Sequence, residues 1–124
     1  MPRITPATYT LRVPQRATLE ESMVLKTGGQ PLNLTGYTVL ASIYKLVQPD
    51  GIAQVAQRGA KIADLTVVYV NRAAGSIKLR LDRSVTRTIT ESGYWDLLVI
   101  EPGGDADYWL EGPATLDIGL TDNV

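Results

Sequence analysis

The chain has 124 residues and a mass of 13.5 kDa, which suits one domain and allows roughly two-thirds of the unfolded surface to be buried. It contains no cysteine and no histidine, which excludes disulfides, thiolate metal sites and every nucleophilic triad that needs an imidazole. Its net charge of −1 provides no electrostatic basis for binding nucleic acid.

Met1–Pro6 has no apolar stretch of the signal-peptide kind, and no apolar run nears the ~20 residues that span a bilayer. The expectation is a soluble product made in the cytoplasm, with residues 1–6 as a mobile or partner-ordered arm. Period-two alternation then sets in, the mark of strands with one face inward. Tyr9, Leu11 and Val13 alternate with Thr8, Thr10 and Arg12, and Leu19, Met23 and Leu25 share a parity in which Glu21 is the odd polar member. A turn at Gly28–Pro31 leads to Tyr37, Val39, Ala41 and Ile43, and Pro49-Asp50-Gly51 marks the next reversal. Residues 52–64 carry no clear pattern, whereas Leu65–Val70 reads as a strand apolar on both faces.

After a turn at Ala73-Ala74-Gly75, Ile77, Leu79 and Leu81 alternate cleanly with polar residues. Asp82–Ile89 fits one helical turn capped by Asp82. Tyr94–Ile100 is apolar on both parities apart from Asp96 and is expected as a central strand covered on both faces. Turns are expected at Pro102–Asp105 and at Gly112-Pro113, with a closing strand carrying Ala114, Leu116, Ile118 and Leu120. The sum is one domain over residues 1–124: an all-β, immunoglobulin-like antiparallel β-sandwich of about seven to nine strands, with a short helical turn near 82–89.

Few residues point to chemistry. Asp96, Glu101, Asp105 and Asp107 gather near one hairpin, where carboxylates could hold Ca²⁺ or act as a catalytic pair, but their spacing reads as a solvated hairpin tip. Tyr94 follows Ser92-Gly93 at a strand start, the place for a structural tyrosine corner whose hydroxyl bonds to backbone. Trp95 and Trp109 either fill the core or mark a subunit interface. Asn33-Leu34-Thr35 matches a glycosylation sequon and, with no signal peptide in view, reads as accidental. Residues 1–87 hold all 12 Lys and Arg with five acids, a balance of +7, and residues 88–124 hold eight acids and no base, −8. Interleaving of the two parts in one sandwich is expected to neutralise that split in space.

The ordered segments Leu32–Val39, Gly75–Leu81, Thr88 to Tyr94-Trp95-Asp96-Leu97, and Gly112 to Leu120-Thr121 resemble the immunoglobulin-like domain of tailed-phage structural proteins. The N-terminal domain of upper baseplate proteins is an example of that family. The resemblance spans nearly the whole chain and implies a virion part with no catalytic residues and no cofactor. Its implied partners are other virion proteins, such as major capsid, tail or baseplate subunits, and copies of itself, with no nucleic acid and no membrane. The expected role is a capsid decoration or cement protein, or a tail, baseplate or fibre adaptor, with Ile4, Tyr9 and Trp109 as interface candidates. A carbohydrate-binding or adhesin module that uses Trp95 or Trp109 as a stacking platform is the alternative, and a metal-dependent hydrolase on the acidic hairpin comes third.

Overall fold

The computed structural model describes residues 6–47 and 57–119. Ile4, the Pro49-Asp50-Gly51 turn and Leu120 lie outside the described residues. Ten strands follow in order: β1 (Ala7–Thr8), β2 (Leu11–Pro14), β3 (Leu19–Val24), β4 (Lys26–Thr27), β5 (Gln30–Pro31), β6 (Thr38–Val47), β7 (Gln57–Asn71), β8 (Ser76–Leu81), β9 (Gly93–Ile100) and β10 (Ala106–Asp117). A 3-10 turn (Arg72–Ala74) joins β7 to β8, and α1 (Arg83–Thr86) stands between β8 and β9. No helix among the described residues is long and apolar enough to cross a membrane.

The front layer runs β1/β2, β10, β9, β6 and the first half of β7, and the back layer runs the second half of β7, β8 and β3. The 15-residue β7 belongs to both layers, so the sheet curls over on itself along that one strand. Pairing is antiparallel throughout except that β1 and β2 run parallel to β10. This is an immunoglobulin-like β-sandwich.

Alternation decides what lies inside. Leu11, Val13, Val39, Ile43, Leu65, Trp95, Leu97 and Val99 of the front layer meet Leu19, Ile77, Leu79 and Leu81 of the back layer. At about 25 cal/mol per Å² of buried apolar area, this core is the main force that holds the layers together. Beneath it, the Thr86 hydroxyl is fully buried and donates to the Ala17 carbonyl at 2.7 Å, tying α1 to the β2–β3 turn. Asp82 takes the N-cap position through its backbone, but its side chain turns back to Arg80 and makes no cap bond.

Three expectations need correction. β9 alternates strictly, with Trp95, Leu97 and Val99 buried and Tyr94, Leu98 and Ile100 half-buried, so it is central in its sheet yet covered on one face only. The Leu65–Val70 segment likewise leaves Val68 and Val70 in solvent. Gly112-Pro113 is no turn, because β10 runs straight through it.

The register explains how that proline is accommodated. The constant offset between β1/β2 and β10 sets Tyr9 and Thr10, the break between the two parallel strands, opposite Gly112 and Pro113. A missing N–H costs little where the ladder is already interrupted. Trp95 sits beside Gly112 in the antiparallel register, and its indole N–H reaches across to the Tyr9 carbonyl at 2.8 Å. A Cβ on Gly112 would lie 2.4 Å from that same carbonyl oxygen, so only glycine lets the first strand come this close.

Candidate docking surfaces

The cleft between β1/β10 and β3/β4 collects two of the expected interface residues. Tyr9, Met23, Leu25, Trp109 and Leu110 line an apolar hollow of about 450 Å³. Trp109 reaches it because the β9–β10 register slips between Tyr108 and Leu110, and the extra residue of this bulge is turned toward the cleft. Tyr9 has partners within its own chain. Its hydroxyl donates to Glu21 Oε2 at 2.7 Å, and its ring meets Trp95 edge-on with centroids 6.1 Å apart. The hydrogen bond to Glu21, then burial, then the carboxylate's charge raise the Tyr9 phenol above its ordinary value of 10.0. Glu21, the odd polar residue of its strand, is thereby accounted for.

Tyr94 does not form the expected tyrosine corner. One-residue parity sends Trp95 inward, 1% exposed, and Tyr94 outward, and among the described residues nothing bonds the Tyr94 hydroxyl to backbone. The bonds expected of it are made elsewhere: Tyr69 accepts the Val39 N–H at 2.8 Å, and Trp95 donates to Tyr9. Arg72 lies 3.6 Å above the Tyr69 ring and donates to the Leu34 and Tyr37 carbonyls, which fixes the approach to β6. A tyrosine within an apolar strand gives no sequence sign of which neighbour its hydroxyl will meet.

Tyr94 belongs instead to the outer face of the front sheet, which pairing arranges in rows. Leu40, Leu98 and Tyr108 form one row, with Leu40 51% and Tyr108 42% exposed. The next row is polar: Asp64, Ser42, Asp96 and Glu111. Beyond it stand Lys61, Tyr44, Tyr94 and Pro113. The Ser42 hydroxyl at 2.6 Å, with Lys61 beside it, holds the Asp64 carboxyl below its ordinary value. Burial raises the Tyr94 phenol, and the charges of Glu111 and Asp96 raise it further.

The outer face of the back sheet sets valines beside paired charges. Val24, Val68 and Val70 are 46%, 40% and 58% exposed. Lys78 stands between Val68 and Ser22, and Arg80 between Thr66 and Glu20. Glu20 lies 3.7 Å from Lys78 and 3.5 Å from Arg80, and Asp82 lies 3.0 Å from Arg80, so two carboxylates match the two cations here. Interleaving cancels part of the charge split along the sequence: Arg12 pairs with Asp117, and Lys45 lies 3.9 Å from Glu91.

The acidic hairpin does not assemble into a cluster. Its turn is closed by the Glu101 N–H donating to the Asp105 carbonyl and the Gly104 N–H donating to the Glu101 carbonyl, and Asp96 lies four residues down β9 from Ile100. Among the described residues, no three carboxylates come together as a metal site would require. Asn33 in the sequon motif accepts from the Thr35 N–H and hydroxyl in a local turn.

No protein-family model and no curated protein sequence matches the chain. Among solved structures, it is similar to the extracellular domain of the voltage-gated sodium channel β4 subunit, described as a parallel homodimer with a role in cell–cell adhesion. The two are 9% identical, and the match covers 94% of this chain and 98% of that one with a TM-score of 0.32.

Proposed function

We propose that this chain is a structural docking module of a bacteriophage particle, as a capsid decoration or cement protein or a tail, baseplate or fibre adaptor. It acts by burying surface against neighbouring proteins, with no chemical step and no cofactor. The observation that carries the docking part is the exposure of Leu40, Tyr108, Val68 and Val70 on flat sheet faces beside charged residues. Contiguous apolar area of this kind, rimmed by charge, is how protein interaction sites differ from ordinary surface. The phage part rests on the ordered sequence resemblance. The carbohydrate-binding alternative loses one of its two platforms, because the Trp95 ring is in the core and only Trp109 reaches a cleft.

Mass spectrometry and electron microscopy of particles from the phage or prophage that encodes the chain test the proposal. Support would be the chain in fixed, symmetric copy number; particles that lack it, with the chain free in the lysate, would overturn the reading.

A further inference from the structure

We infer that the cleft between β1/β10 and β3/β4 receives residues 1–5 of a second copy of this chain, as an extended strand with Ile4 against Trp109. The inference rests on the docking reading above and names its partner. The cleft is a gap in the wall of the sandwich. Among the described residues β1 pairs only with β10 and β3 only with β8, so each leaves one edge unpaired. Ala7, Tyr9, Met23, Val24, Trp109 and Leu110 lie along the gap. An unpaired edge with apolar side chains beside it is where an extended segment adds as a further strand.

The chain supplies such a segment. Side chains alternate along extended backbone, so Pro2, Ile4 and Pro6 share one face and Arg3 and Thr5 the other, apolar opposite polar. Met1 and Thr5 each precede a proline and are thereby held to extended backbone, which lowers the entropy lost on docking. The prolines do not prevent pairing, because Arg3 and Thr5 keep the N–H groups of one edge of the strand. Direction selects the copy. β1 runs parallel to β10 with Ala7 opposite Leu110 and Thr8 opposite Glu111, so the chain enters β1 from the Tyr108 end. A Thr5-Pro6 step held extended leads outward along that line, away from the chain's own Tyr9 and Met23. Five residues at about 3.3 Å each reach about 17 Å, enough to enter a neighbour's cleft. Each copy gives one arm and receives another, a heterologous contact that closes into a ring or grows as a chain. One strand in a cleft buries well under the about 1,000 Å² of a stable interface, so pairs form weakly, and a particle that holds copies side by side strengthens them.

The experiment is sedimentation velocity of the full chain from about 10 µM to about 1 mM, with circular dichroism to confirm folding and acrylamide quenching of tryptophan emission at each concentration. Trp95 is 1% exposed, so quenchable emission reports Trp109 and hence the cleft. The wild type should gain average mass with concentration while its quenchable fraction falls. Ile4→Asp, with the arm altered and the cleft intact, and Trp109→Ala, with the cleft altered and the arm intact, should each stay monomeric. An equimolar mixture of the two should form dimers and nothing larger, with Trp109 of the Ile4→Asp chain shielded. If Trp109→Ala does not fold, Val24→Glu takes its place and puts a charge into the same cleft from a position 46% exposed.

A wild type that is monomeric at all concentrations overturns the inference, as does a folded arm or cleft variant that associates like the wild type. Shielding of Trp109 that is equal at every concentration and is lost in Ile4→Asp also overturns it, since the arm would then fill its own cleft. Presence in particles tests the docking reading separately. A monomeric wild type that is found in particles in fixed copy number removes the arm exchange and leaves docking in place. A wild type that associates through arm and cleft but is absent from particles does the reverse.

Discussion

Two regions of this sandwich use the same aromatic residue types to opposite ends. At the junction of β1 and β2, Tyr9, Trp95 and Glu21 satisfy one another, and Gly112 leaves room for the contact. On the front face, one residue away in sequence from Trp95, Tyr94 and its row neighbour Tyr44 lie toward solvent, with Asp96 and Glu111 in the next row. The first region closes the fold, and the second sets apolar side chains and carboxylates on an open sheet face. The difference teaches that strand parity and a single glycine, rather than aromatic content, separate core from surface here.

The largest blow to the junction is Trp95→Ala. It removes a fully buried ring and the donor to the Tyr9 carbonyl together, so it should cost about 3–5 kcal/mol in a denaturant melt. Gly112→Ala should follow at about 1–3 kcal/mol, because the new methyl meets the Tyr9 carbonyl and the first strand must back away. A melt for Gly112→Ala that matches the wild type would mean that the close approach of β1 is not needed for stability.

These contrasts also mark how much was legible beforehand. The alternation in Leu11/Val13, Val39/Ile43 and Ile77/Leu81 is enough to place the inward faces, because one buried face imposes period two. The segment at 94–100 misleads, because an apolar outer row left half-buried looks the same in sequence as one covered by a second layer. Gly112-Pro113 misleads for another reason: its turn-like composition serves a close approach and a ladder gap set by a strand about 100 residues earlier. The front rows could not be seen at all, since Leu40, Leu98 and Tyr108 meet only once strand order and register are known.

Tyr9→Phe should have a smaller effect, about 1 kcal/mol, by taking the donor from the partly buried Glu21 carboxylate. The pH dependence has a definite sign. The folded state raises the Tyr9 phenol above 10.0 and so favours its neutral form. The associated stability is complete below pH 10 and is lost as the pH climbs from there through the folded-state value. A melting series through pH 9–11 should show the wild type falling more steeply than Tyr9→Phe.

The smallest effect is expected from the same edit on the other region, and it decides the comparison most directly. Among the described residues, Tyr94 makes no hydrogen bond through its hydroxyl, and its ring lies half-buried on the outer face. Tyr94→Phe therefore removes no satisfied pair and opens no cavity, and its melt should lie within about 0.5 kcal/mol of the wild type. Its phenol is also raised above 10.0, chiefly by burial, so the variant should lose a small part of the alkaline destabilisation, as Tyr9→Phe does. A Tyr94→Phe cost equal to that of Tyr9→Phe at neutral pH would restore the structural tyrosine corner. A neutral Tyr94→Phe beside a costly Tyr9→Phe would show that, of these two tyrosines, only the one whose hydroxyl has a partner contributes through it to holding the fold.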